Sequence, residues 1–187
     1  CIWIVAGPGN NGGDGLEAAL HLHQWGQAVQ VSLLGDPAQL PGDARRAFER
    51  ATDAGVSIHI GLPDSAPVLT GQDLCIDALL GIGARRAPDQ ALLQAVQWLN
   101  ASAAPVLAVD VPTGLDADSG QPLGALDAVV QARHTLTLLG IKPGLLMGHG
   151  RDVCGTLWLA PLGLPPDATD WAPVDAELNP PAEPTAR

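Results

Sequence analysis

The sequence predicts an α/β domain built on a mostly parallel sheet with helices on both faces, and three observations carry that reading. Apolar runs of strand length alternate with stretches of helical periodicity along most of the 187 residues, the pattern of βαβ units. Aromatic residues are only 3% of the chain, with no Tyr and one Phe. The core must therefore be built from Ala, Val, Leu and Ile, as in strands covered on both faces. Glycine clusters follow several of the apolar runs, where loops leave the carboxyl ends of strands. A length of 187 residues suits one domain, and 47% apolar against 16% charged residues fits a packed globular chain rather than a disordered one.

Taken in order, Ile2 to Ala6 is a short apolar strand ending in Gly7-Pro8-Gly9. Leu16 to Trp25 has helical spacing, with Leu16, Ala19, Leu20 and His23 on one stripe. Val29 to Leu34 is a strand, Gly42 to Ala54 a charged helix and Val56 to Ile60 a short strand. Asp73 to Leu80 is a strand running into Gly81-Ile82-Gly83. Gln90 to Asn100 repeats apolar residues at Leu92, Leu93, Val96 and Leu99 and is a helix. Pro105 to Val111 is a wholly apolar strand reaching Asp110, and Thr135 to Leu139 and Thr156 to Leu159 are later strands. The domain is expected over residues 1–164. From Pro165 to Arg187 six prolines and little periodicity mark a tail or linker. The apolar run begins at the second residue, which leads to the expectation that residues precede it.

The formal net charge of −11 repels phosphate backbones and argues against nucleic acid as a partner. It does not exclude a small phosphorylated ligand, which main-chain N–H groups at a helix N-terminus can hold. No apolar run reaches the roughly 20 residues of a membrane span. Cys1, Cys75 and Cys154 form no pairing or zinc pattern and read as thiols of a reducing compartment, so a cytoplasmic location is expected. The five histidines show no ligand spacing.

Three loops carry the chemistry. Gly7 to Gly15 holds five glycines with Asn10, Asn11 and Asp14, so its backbone can approach a phosphate closely while the amides supply donors and acceptors. Gly7, Gly9 and Gly12 match the G-x-G-x-x-G spacing, but the acidic residue of the dinucleotide fingerprint is missing from the end of the second strand; Gly35-Asp36 is the nearest candidate. In the second loop, Asp77 lies inside an apolar strand, as a hydrogen-bonded structural carboxylate or as a cation ligand. Gly81 and Gly83 allow close approach, and Arg85 and Arg86 are the first cations beyond them, suited to a phosphate contact or to the solvated surface. In the third loop, Asp110 ends the most apolar strand, just before the stiffening Pro112, and is the best-placed carboxylate for acid–base work. Asn11, Asp77 and Thr113 offer oxygen ligands from three loops, a set suited to a hard cation rather than a transition metal. Lys142, the single lysine, closes one side of the pocket or belongs to a plain surface turn.

The stretches GPGNNGGDG, DALLGIG, VDVPTGLDADSG and KPGLLMGHGRDVCG together closely resemble the NAD(P)H-hydrate epimerase family, the YjeF N-terminal domain, in the same order and over the chain to about Gly163. The resemblance implies a three-layer, Rossmann-like α/β/α sandwich, often a homodimer. It implies interconversion of the R and S forms of hydrated NADH and NADPH (NADHX and NADPHX), a repair step alongside a partner or fused dehydratase. It also implies a bound potassium ion, held by Asn11, Asp77 and Thr113, where the family commonly has Ser at the last position. Asn10, Asn11, Gly12, Gly13 and Asp14 would contact the substrate. Gly81, Ile82, Gly83, Ala84, Arg85, Arg86 and Ala87 would line its phosphate side, and Asp110 would act on the reacting ring. Family domains carry helices ahead of the first strand that this chain lacks. The alternative is a non-catalytic dinucleotide- or protein-binding module of the same fold.

Overall fold

The computed structural model describes residues 1–164, so the proline-rich segment 165–187 lies outside the described residues. The elements run β1 (Ile2–Ala6), α1 (Asn10–Gln24), β2 (Val29–Leu33), α2 (Gly42–Asp53), β3 (Ser57–Ile60), β4 (Leu74–Ala78), α3 (Gln90–Ala101), β5 (Val106–Val109), β6 (His134–Leu138), α4 (Gly150–Val153) and β7 (Thr156–Ala160). The strands form one sheet in the order β3-β2-β1-β4-β5-β6-β7, and every pairing is parallel.

Alternation along β1 divides the core into two layers. Ile2, Ile4 and Ala6 face the side covered by α1 and α2, where they meet Leu16, Leu20, Ala44 and Ala47. Trp3 and Val5 face the opposite side with Cys75, Ala95, Val96 and Leu99, the last three on α3. The three-layer α/β/α arrangement expected for the chain is therefore present. Beyond β5 a third cluster of Val111, Leu115, Val129, Leu145 and Val153 fills the space beneath the loops.

The strands and helices that the sequence predicts fall within a residue or two of their expected bounds, with one instructive exception, and the short α4 was not expected. Helix α1 begins at Asn10, not Leu16, so most of the glycine-rich stretch is helical. Its glycines are there for close packing rather than for loop freedom. A Cβ on Gly12 would lie 1.9 Å from the Gly7 carbonyl oxygen, one on Gly13 would lie 2.9 Å from Ala44 Cα, and one on Gly15 would lie 2.5 Å from Ala78 Cβ. Each glycine costs about 1 kcal/mol of helix propensity, offset by bringing α1 against β4 and α2.

Candidate active site

β1 lies between β2 and β4, where the strand order reverses, and crevices open beyond the carboxyl ends of parallel strands at such points. A cavity of about 1020 Å³ occupies this place, ample for a dinucleotide. Its walls are Pro8, Gly9, Asn10, Asn11 and Asp14 at the start of α1, the chain from Leu79 to Ala87 after β4, Asp89 and Leu92 at the start of α3, and Asp110 after β5.

The start of α1 forms one wall. Gly9 is its N-cap and supplies no side-chain cap, and the first turn holds no acidic residue. The first N–H groups of the helix thus have no side-chain partner, and Gly9, Asn10 and Asn11 line the cavity, a ready site for an anion. Asn11 Nδ2 is buried with no hydrogen-bond partner, a donor that a ligand oxygen would satisfy. Asp14 remains solvent-accessible on the next turn. Lost hydration, then the negative charges of Asp110 and Glu17, raise its carboxyl above the usual aspartate value.

Asp110 stands opposite, and its backbone is unusual. Its φ of 68° lies in the left-handed region, and Val111 N donates to Val109 O at 2.9 Å across it, closing a three-residue turn of the strained kind. Oδ1 accepts from Lys142 Nζ in a close ion pair and from Leu138 N at 3.4 Å, while Oδ2 accepts from Ile82 N at 3.4 Å. A side chain at position 81 would lie 3.2 Å from both Asn11 Oδ1 and Asp110 Oδ2. Gly81 therefore lets the two side chains face the cavity across bare backbone.

Beneath the cavity floor Asp77 is wholly buried. Its Oδ2 accepts from Thr113 N at 2.8 Å, and its Oδ1 accepts from Thr113 Oγ1 at 2.8 Å and Leu79 N at 3.2 Å. Burial pushes its carboxyl up to about 6, against the opposing pull of these donors. No basic side chain pairs with it among the described residues. Thr113 Oγ1 also accepts from Leu80 N at 3.0 Å, so the chain from Leu79 to Ile82 links all the expected groups. Asp77 and Thr113 touch directly, whereas Asn11 and Asp110 meet over Gly81.

Several expected residues take other parts. Gly12 and Gly13 are buried and do not line the cavity; they serve the packing of α1 described above. Arg85 lines the cavity but spends Nη1 on the carbonyls of Ile82 at 3.1 Å and Ala84 at 3.3 Å, with the Asp118 carboxylate 3.9 Å away. Arg86 lines the cavity with no ion-pair partner among the described residues. Asp36 is consumed by its own turn, accepting from Ala38 N at 2.9 Å and Gln39 Nε2 at 3.0 Å, and does not reach the cavity. Cys75 and Cys154 are free, buried thiols held above the usual range by desolvation.

Pro8, Gly9, Leu79, Leu80, Asp89 and Leu92 were missed as wall residues. Asp89 caps α3 through Leu92 N at 3.0 Å, and a capping aspartate ahead of an apolar helix was the signal available for it. Leu92 lies on the stripe read as core. The contact between Lys142 and Asp110 was missed altogether.

No described helix is long and apolar enough to cross a membrane. The chain is 44% identical over 166 residues to the protein named NAD(P)H-hydrate epimerase of Bordetella pertussis strain Tohama I, covering 88% of this chain and 71% of that relative. It is 42% identical over 168 residues to the bifunctional NAD(P)H-hydrate repair enzyme Nnr of Escherichia coli K12, covering 87% of this chain but 30% of that longer relative. The crystal structure of the yeast protein ynu0 superposes with a TM-score of 0.71 over 88% of this chain and 67% of that one, at 23% identity, and so shares the fold. Residues 1–144 match the family described as YjeF-related protein N-terminus. The chain therefore belongs to the YjeF N-terminal family.

Proposed function

We propose that this chain is an NAD(P)H-hydrate epimerase, interconverting the R and S forms of NADHX and NADPHX. The observation that carries the reading is the placement of Asp110, a carboxylate in a strained turn, across a dinucleotide-sized cavity from the uncapped N-terminus of α1. The names of the relatives, epimerase and repair enzyme, agree with it.

The substrate's pyrophosphate lies at the first turn of α1, beside Asn10 and Asn11, with Arg86 on the facing wall. This anchoring leaves the hydrated ring near Asp110. The hydroxyl on C6 of that ring neighbours the ring nitrogen. When a proton reaches the hydroxyl it departs as water, and the nitrogen lone pair stabilises the cation that remains. Water returns to either face and loses its proton, so the stereocentre is scrambled with no net change in composition. Asp110 carries that proton out and back, and its charge stabilises the cation between the two steps.

The chemistry of the oxygens at and below the floor suits a potassium ion. Asp77 is a fully buried carboxylate without a basic partner among the described residues, and Thr113 Oγ1 lies against it. Asn11, Asp77 and Thr113 would hold the ion. It would neutralise Asp77 and stiffen the loops, while the proton transfers belong to the protein. Assembly as a homodimer and action beside a dehydratase domain are further parts of this proposal.

The test is NMR of purified protein with a single epimer of NADPHX. Catalysed exchange toward the epimer mixture is expected. A ratio that changes no faster than in buffer, with the dinucleotide bound, would leave a binding module and refute the epimerase.

A further inference from the structure

The Lys142 ammonium does not line the cavity, yet it is bonded to the one side chain the reaction depends on. Its Nζ donates to Asp110 Oδ1 and, at 2.6 Å, to Leu138 O, and only 16% of the lysine side chain is exposed. With Leu138 N also directed at it, Oδ1 is fully engaged. Oδ2 keeps only the long contact from Ile82 N, on the side where Gly81 leaves space open to the cavity. The two oxygens of Asp110 are thus sharply unequal, one tied into the protein and one free for a substrate proton.

The lysine is placed from both ends. Behind it, β6 brings Leu138 beside Asp110. Ahead of it, Gly144 N donates to Ala117 O at 2.7 Å, and a Cβ on Gly144 would lie 2.3 Å from Asp116 O. The turn Pro143–Leu145 is therefore seated on the very segment that continues from Asp110 through Thr113 to Ala117. Lys142 and Asp110 are fixed to one frame, 32 residues apart in sequence.

We propose that Lys142 is a positioning residue of the reaction: it ties Oδ1 of Asp110 and so presents Oδ2 to the reacting ring at a fixed angle. This rests on the epimerase reading of the site. A catalytic carboxylate displaced by about an ångström can lose on the order of 10²-fold in rate, and a carboxylate free to rotate in a strained turn is displaced by at least that.

The test uses the whole chain with Lys142→Met, Lys142→Arg and Lys142→Ala, followed by NMR epimer exchange. Lys142→Met is expected to lower kcat by about 10²-fold with KM within about threefold, because no contact to the substrate is lost. Lys142→Arg, keeping the charge, recovers part of the rate, and ethylammonium added to Lys142→Ala recovers part of it as well. Melting midpoint and NADPHX affinity, measured alongside, report whether each variant is folded. A Lys142→Met enzyme with wild-type kcat overturns the proposal. So does a loss that tracks the folded fraction and is restored by neither arginine nor ethylammonium. If the wild-type chain itself fails to exchange epimers, the epimerase reading falls first and this inference with it, an outcome distinct from an active wild type with an active Lys142→Met.

Discussion

Replacing Gly13 with alanine will weaken the fold and spare the ligand. The position lies in a glycine-rich stretch that resembles a phosphate loop, so a binding defect is the intuitive expectation. In the structure Gly13 is buried on the side of α1 that meets α2, and a Cβ there would lie 2.9 Å from Ala44 Cα and 3.0 Å from Ala44 Cβ. Ordinary contact needs most of an ångström more, so the helices must separate. Overpacking of this kind costs about 1–3 kcal/mol, while alanine recovers about 1 kcal/mol of helix propensity over glycine. The net is a loss of up to roughly 2 kcal/mol, or up to about 8 °C in melting midpoint for a chain of this size. Gly13→Val adds two methyl groups to the same gap and should lose about 3 kcal/mol. Urea unfolding gives the stability, and titration with NADPHX gives the affinity. The double variant Gly13→Ala with Ala44→Gly should recover part of the loss, because it removes the Cβ contact and leaves the one to Cα. Unchanged stability together with an affinity lowered tenfold would refute the reasoning and return Gly13 to the ligand.

Asp110→Asn should retain NADPHX affinity while epimer exchange by NMR slows by about 10²-fold or more; unaltered turnover removes Asp110 from the chemistry. Arg86→Ala should raise KM severalfold and leave kcat nearly alone, since its guanidinium lines the cavity without an ion-pair partner among the described residues; an unaffected KM places Arg86 on the solvated surface. Asp77 has a folded value of about 6 against an ordinary 3.8, so between these values the folded chain binds more protons than the unfolded one. Its contribution to stability is therefore present at low pH and lost as pH rises through that window, by about 3 kcal/mol. Unfolding of Asp77→Asn should lack this component, and identical pH dependence in the two proteins would contradict it. Above that window, exchanging tetramethylammonium for potassium should raise the melting midpoint of the wild type and not of Asp77→Asn; equal shifts would argue against ion binding at Asp77.

Much of this arrangement is legible along the chain because it follows from local pattern. The bounds of β1 follow directly from the apolar run Ile2 to Ala6, and Asp110 draws notice because it breaks the apolar run of β5 at the strand's carboxyl end. The start of α1 is concealed because glycine weakens the helical signal, and the packing that compensates comes from residues as distant as Ala44 and Ala78. The Lys142–Asp110 pair is invisible for a related reason. Lys142 follows a strand whose partner is known only once the sheet order places β6 beside β5. Asp77 and Thr113 are expected from the sequence to share a cation with Asn11, but not to bond to each other, because that contact depends on how the loop after β5 folds back over β4.

The glycines at 120, 144 and 150 have a mechanical consequence for the cavity. A Cβ on Gly120 would lie 2.1 Å from Met147 O, and one on Gly150 would lie 1.8 Å from Gly144 O, so the segment after β5 and the connection from β6 to β7 are locked backbone to backbone. The facing rim from Ile82 to Ala87 is largely exposed and carries Gly83, around which a Cβ would meet nothing. A nucleotide in the cavity is therefore held between a wall packed backbone to backbone behind Asp110 and a rim whose exposed side chains have open space around them.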